Sequence, residues 1–173
     1  FEKNRHILGF DSPQKALYMI VKEALDNSLD ACEEHQIIPE IKVRVLKAEN
    51  EEFEVTIEDN GPGIDRKEVP KVFGQLLYGS RFHSFKQSRG QQGIGITAAV
   101  LFGQITTGKD SLIRTRKKGD EVAYDFKLGI NIKENRAKIA EEKPAIWDKE
   151  HGTIVTIFSK GKYQTGKQSF LST

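Results

Sequence analysis

Two glycine-rich turns, Asp59-Asn60-Gly61-Pro62-Gly63 and Gly90-Gln91-Gln92-Gly93-Ile94-Gly95, follow one long amphipathic segment that carries Glu23, Asn27 and Asp30 on a single stripe. No other feature constrains the fold as strongly. The helix supplies a carboxylate and an amide at i and i+4, and the turns supply exposed backbone N–H groups. Such a carboxylate can activate a water, the amide can hold a magnesium ion beside a phosphate chain, and free N–H groups bind the phosphates themselves. The combination reads as a nucleotide site.

The helix is legible at its start. Ser12 suits the N-cap and Pro13 the first helical position, where a missing N–H is harmless, so the helix is predicted to run to about Glu34. At roughly 100° per residue, Leu17, Val21, Ala24, Ser28 and Ala31 form a buried stripe, with Tyr18, Leu25, Leu29 and Cys32 as a second beside it. Lys15, Lys22, Asp26 and Glu33 take the solvent side. On a lone helix Glu23, Asn27 and Asp30 would read as a solvated face. Here that face is occupied, which places them at a shoulder with Ala16 and Ile20, where a cleft wall belongs.

Ile41, Val43 and Val45 alternate with Lys42 and Arg44, and Phe53, Val55 and Ile57 with Glu54 and Thr56. Both read as half-buried strands joined as a hairpin through Glu49 to Glu52. The second strand runs into the Asp59 turn. Asn-Gly and Pro-Gly alone are ordinary turn punctuation, but an Asp at a strand end can accept a hydrogen bond from an exocyclic amine, and glycines let a flat base approach the backbone. Asp59 is the candidate adenine reader.

A short amphipathic helix is predicted from Lys67 to Tyr78, bent or restarted near Pro70. From Gly79 to Arg89 the periodicity lapses and Arg81, His83, Lys86 and Arg89 accumulate, a stretch that reads either as a surface loop or as a lid. The Gly90 turn then opens a second helix from Ile94 to Phe102, and a glycine turn at a helix N-terminus is an anion site. It is not a P-loop, since Ile96 and Thr97 follow the last glycine, nor does it fit the dinucleotide fingerprint. Leu112 to Arg116 and Glu121 to Leu128 read as strands around a Lys117 to Asp120 turn, and Gly152-Thr153 leads into another. Residues 133–149 are charged and show no clear element, with Ile139 and Trp147 as their expected buried contacts.

Composition excludes more than it specifies. A chain of 173 residues with 37% hydrophobic and 30% charged residues suits one globular domain, with no long apolar run and no signal peptide. The single Cys32 permits no internal disulfide, and the four histidines lack metal-ligand spacing. A net charge of +2 is too small to argue for DNA binding by this piece alone.

The order and spacing of Glu23-x-x-Asp26-Asn27-x-x-Asp30-Ala31, Asp59-x-Gly61-x-Gly63, Gly90-x-x-Gly93-x-Gly95 and Gly152-Thr153 resemble the GHKL ATPases: gyrase, the heat-shock chaperone of ninety kilodaltons, histidine kinases and MutL. Within them, Leu8 to Asp11, Leu77 to Ser80, Arg89 to Gly93 and Gly161 to Lys167 are closest to the B subunits of type IIB DNA topoisomerases, the topoisomerase VI family. The resemblance covers essentially the whole chain. It implies the Bergerat fold, an α/β two-layer sandwich with helices on one face of a mixed sheet.

It further implies ATP and Mg2+ as ligands, with Glu23 as general base, Asn27 as magnesium ligand and Asp59 on the adenine amine, supported by Thr153 directly or through water. Gly61 and Gly63 would line the base. Ser80 and Arg81 would lie on the nucleotide side of the lid, and the backbone of Gly90, Gln91, Gln92, Gly93, Ile94, Gly95, Ile96 and Thr97 would wrap the phosphates. Asp30 would be structural. Phe1 to Asp11 would form an arm crossing to the partner in an ATP-dependent homodimer, residues 12–159 the ATP-binding domain, and residues 160–173 a linker toward a transducer domain whose lysine reaches the terminal phosphate; the chain reads as a fragment that ends before it. The implied partners are a DNA-cleaving A subunit and, through the full complex, double-stranded DNA, with no membrane and a cytoplasmic or nuclear setting. A histidine kinase and an ATP-binding scaffold without useful turnover remain as alternatives, though Glu23 at the base position favours water as acceptor.

Overall fold

The computed structural model describes residues 13–74, 95–134 and 136–161. Helix α1 (Pro13–Glu34) leads into the hairpin β1 (Ile41–Lys47) and β2 (Glu52–Asp59), then the short α2 (Val69–Phe73) and α3 (Gly95–Thr107). Strands β3 (Ser111–Arg116), β4 (Ala123–Asn131), β5 (Arg136–Ala145) and β6 (Gly152–Lys160) follow. They form a six-stranded sheet in the order β1-β2-β6-β3-β4-β5.

Helices α1 and α3 pack side by side on one face, α1 over β2 and α3 over β6 and β4. The expected two-layer α/β sandwich is therefore present. In one detail the sheet departs from expectation: every neighbouring pair is antiparallel, where a mixed sheet was expected. The connection from β2 to β3 through two helices sets those strands in the same direction, as a helical crossover does. But β6 is inserted between them and runs opposite to both.

One face of the sheet is apolar by strand alternation. Phe53, Val55 and Ile57 of β2 meet Val155 and Ile157 of β6, then Ile113 of β3, then Phe126 and Leu128 of β4, all buried. Leu17, Ile20, Ala24, Val100 and Phe102 close this layer from the helices, and each fully buried aliphatic or aromatic side chain there contributes about 1.5–3 kcal/mol.

The buried face of α1 is rotated from the one periodicity suggested. Ala16 and Ile20, expected at the shoulder, are fully buried, whereas Tyr18, expected on a core stripe, is 49% exposed. Since α3 covers one flank of α1 and β2 and β6 lie beneath it, the buried arc centres on Ile20 and Ala24. Glu23 and Asn27 thereby border the core.

Two further elements differ from the sequence reading. The helix expected from Lys67 is the single turn α2, and Pro70 opens it rather than interrupting it; residues 75–78 lie outside the described region. The charged stretch that showed no clear element contains β5, an edge strand of the described sheet. Its Glu141, Glu142, Lys143 and Pro144 are the residues that shield an exposed strand edge from further pairing. Ile139 packs against the core as expected, and Trp147 is half-buried.

Candidate active site

Alternation along β2 buries Phe53, Val55 and Ile57, and the next residue of the same parity is Asp59. A carboxylate thus occupies a core position, 5% exposed. The Ser28 hydroxyl of α1 donates to Asp59 Oδ2 at 2.6 Å, and the Gly61 N–H donates to Oδ1 at 2.9 Å. Burial pushes the Asp59 carboxyl above its ordinary value, opposed by those hydrogen bonds, by the Thr153 N–H and by the Lys149 ammonium. A buried acceptor held this way is built to receive donors.

Because β6 lies between β2 and β3, Asp59 faces Thr153, and Thr153 faces Thr115. The three form a buried polar row across this end of the sheet, while Ser111 and Ser159 are the buried polar residues of the same face at its other end. Thr115 Oγ1 lies 2.9 Å from Thr153 Oγ1 and 3.2 Å from the Gly152 carbonyl, and it accepts the Ile64 N–H at 2.8 Å. Ser28 and Thr115 were not singled out as site residues from the sequence. The signal was present: Ser28 falls on the buried stripe of α1, and Thr115 shares the parity of Ile113.

The loop after Asp59 is fixed on several sides. Asn60 turns inward, donating to the Ile38 carbonyl at 3.0 Å and accepting the Glu40 N–H at 2.8 Å, which ties the turn to the α1–β1 connection. His151 Nδ1 lies 2.6 Å from the Gly61 carbonyl, so that nitrogen carries the hydrogen. The Lys118 N–H donates to the Pro62 carbonyl at 2.7 Å. Gly63 has φ +77°, and a Cβ there would overlap the Arg116 carbonyl. Gly63→Ala is expected to destabilise the fold by about 2 kcal/mol or more, seen as a lower urea midpoint at unchanged m.

Glu23 borders a second part of the site. Its side chain is 11% exposed, with Lys22 Nζ 3.8 Å away, and its carboxylate lies where a Cβ on Gly95 would stand. Only glycine at the start of α3 lets α1 bring this carboxylate against that helix's first turn. Desolvation pushes the Glu23 carboxyl above its ordinary value, with Lys22 opposing. Ionised Glu23 therefore destabilises the fold as pH rises from the ordinary value, about 4.3, through the raised folded one, and its contribution is most favourable below that window. Glu23→Gln is expected to raise the melting temperature at pH 7 and to leave it near the parental value at pH 3.

Asn27, one turn beyond Glu23, is half-buried and forms no side-chain hydrogen bond among the described residues. Ile96 and Thr97 occupy the first turn of α3, and Thr97 Oγ1 is buried without a partner among the described residues. Ser80, Arg81, Gly90, Gln91, Gln92, Gly93 and Ile94 lie outside the described region. The structure thus gathers Asp59, Gly61, Gly63 and Thr153 at one end of the sheet and sets Glu23 against Gly95 at the start of α3. The opposite face of the sheet bears a concavity of about 350 Å³ lined by Leu112, Arg114, Asp125 and Thr156. Both carboxylates in its lining are paired, Arg114 Nε donating to Asp125 at 2.7 Å and Lys143 Nζ lying 3.3 Å from Glu141.

A family model for histidine kinase-, DNA gyrase B- and HSP90-like ATPases matches residues 16–165. The chain is 52% identical over 163 residues to the B subunit of type 2 DNA topoisomerase 6 from Archaeoglobus fulgidus, covering 94% of this chain and 27% of that one. It is 48% identical over 172 residues to the protein of the same name from Methanosarcina barkeri, covering 99% of this chain and 28% of the relative. It spans a little over a quarter of the length of these relatives. Among solved structures, the ATPase domain of Aquifex aeolicus MutL superposes with a TM-score of 0.44 at 20% identity, covering 84% of this chain and 38% of that chain. With the family model matched from α1 through β6, across each described element that builds the site, the chain belongs to the histidine kinase-, DNA gyrase B- and HSP90-like ATPases.

Proposed function

We propose that this chain binds ATP between α1, the Asp59 loop and the start of α3, hydrolyses it with Glu23 as general base, and is the ATPase module of a type IIB DNA topoisomerase, part of its B subunit. The observation that carries the chemistry is the Glu23 carboxylate set against the first turn of α3 and raised in pKa by burial. Such a group takes a proton from water more readily than an ordinary carboxylate. At the other end, Asp59 accepts the adenine amine and Thr153 supports it, while Gly61 and Gly63 leave room for the ring. The backbone from Gly90 to Thr97, with Ser80 and Arg81, holds the phosphates.

The residues present fit a magnesium ion. Asn27 is the candidate ligand, since its amide lies one helical turn from Glu23 without a hydrogen-bond partner among the described residues. A bound magnesium would offset phosphate charge. What this chain supplies is the base, the adenine acceptor and the amide oxygen.

The topoisomerase assignment is supported by relatives of that name at 52% and 48% identity. In this reading ATP closes a homodimer that gates strand passage through double-stranded DNA cleaved by a separate A subunit. The full-length polypeptide with its cleavage partner is expected to relax supercoiled plasmid only when ATP is supplied. ATP-independent relaxation, or transfer of phosphate to a protein histidine, would contradict it.

A further inference from the structure

The two edges of the described sheet are unlike. β5 carries Pro144 and a break in register where it meets Lys127 and Leu128 of β4, features that keep a further strand away. β1 has neither. Its residues from Ile41 to Lys47 pair with β2 in unbroken register, so its outer N–H and C=O groups stand in line for another strand. Ile41, Val43 and Val45 share the helix-covered face with Val55 and Ile57, while Lys42, Arg44 and Leu46 stand on the opposite face. Val43 is 42% exposed and Leu46 45%, one on each face of the same edge.

Charge decides what can add there. β1 carries Lys42, Arg44 and Lys47 and no acid. On its inner side β2 already answers this charge, with Glu58 opposite Lys42 and Glu54 Oε2 3.9 Å from Arg44 Nη2. A second copy of β1 on the outer side would set cations against cations, and like charges across a strand pair are destabilising. The chain's own segments outside the described residues are no better matched: residues 1–12 have as many bases as acids, and residues 75–94 and 162–173 have bases and no acid. We propose that β1 is a docking edge for an extended acidic segment of another protein, about six residues long, which adds to the sheet with acidic and apolar side chains in alternation. Its acids meet Lys42 and Arg44 on the open face, and its apolar residues lie beside Ile41, Val43 and Val45 on the other. Main-chain hydrogen bonds supply the affinity and the alternation supplies the choice of face.

The test titrates the full-length polypeptide into a labelled peptide that alternates glutamate and valine over the length of β1, with fluorescence anisotropy as the readout. Saturable binding is expected, with slowed hydrogen exchange at the β1 amides and none at β5. A peptide with lysine in place of glutamate should bind at least about tenfold more weakly. So should two peptides of unchanged charge, one with its glutamates gathered in a block and one N-methylated at alternate residues, because the first loses the face pattern and the second the ladder. The double variant Lys42→Glu, Arg44→Glu should reverse the preference and favour the lysine peptide. Equal binding of the blocked or N-methylated peptide would show attraction by charge alone and overturn the proposal. Absence of binding would overturn it too, and exchange in the free protein then names the other occupant: β1 amides protected at every concentration mean a segment of the same polypeptide, and protection lost on dilution means a second copy. Should the double variant fail to fold, the blocked and N-methylated peptides decide the matter on the parent.

Discussion

Asp59→Asn and Asp59→Ala are expected to lose adenine nucleotide affinity by at least about 10²-fold while the chain stays folded. The asymmetry follows from the environment. In the parent, burial works against the ionised carboxylate, and Ser28, Gly61, Thr153 and Lys149 offset part of that penalty. An asparagine removes the buried charge, so the fold is relieved rather than harmed. It also presents an amide that must satisfy Ser28 and Gly61 with a single oxygen, and the adenine amine then meets a site short of acceptors. An unmet buried donor costs about 1–3 kcal/mol, and the lost charge adds to it. Calorimetric titration with a non-hydrolysable ATP analogue checks the affinity, and a melting curve checks the fold. Parental affinity in a folded Asp59 variant would remove this residue from the site.

The larger effect on rate is expected at Glu23. In the full-length polypeptide Glu23→Ala should keep ATP and magnesium binding while turnover falls by roughly 10²- to 10⁴-fold, because a general base acts mainly in the transition state. Asn27→Ala should differ in kind. As a ligand of the ion it should lose magnesium-dependent affinity as well as rate. With the base gone and binding intact, nucleotide should persist in the site and the nucleotide-held dimer should accumulate. Single-turnover hydrolysis and light scattering on the two variants separate the roles.

Much of this site could be read from residue order, because its parts sit at the ends of regular elements. Asp59 follows the alternation of β2, Thr153 follows Gly152 at the start of β6, and the span of α1 was marked by Pro13 at one end and the end of periodicity at the other. What escaped depended on tertiary neighbours. The buried arc of α1 is set by α3 and the sheet, which periodicity within α1 cannot report, so Tyr18 was placed inward and Ile20 at the shoulder. β5 was hidden because an edge strand carries charge and proline in place of alternation. Sheet order was hidden too: nothing local to Gly152-Thr153 announces that the last strand described inserts between β2 and β3. That insertion brings Asp59, Thr153 and Thr115 into one row and makes the polar end of the sheet from three separate segments.

The most direct measurement is a crystal structure of the chain with magnesium and a non-hydrolysable ATP analogue. The account predicts the adenine amine within hydrogen-bond distance of Asp59, the ring over Gly61 and Gly63, and the terminal phosphate at the first turn of α3 beside Glu23. A nucleotide seated elsewhere, for instance against Leu112, Arg114 and Asp125 on the opposite face of the sheet, would contradict it.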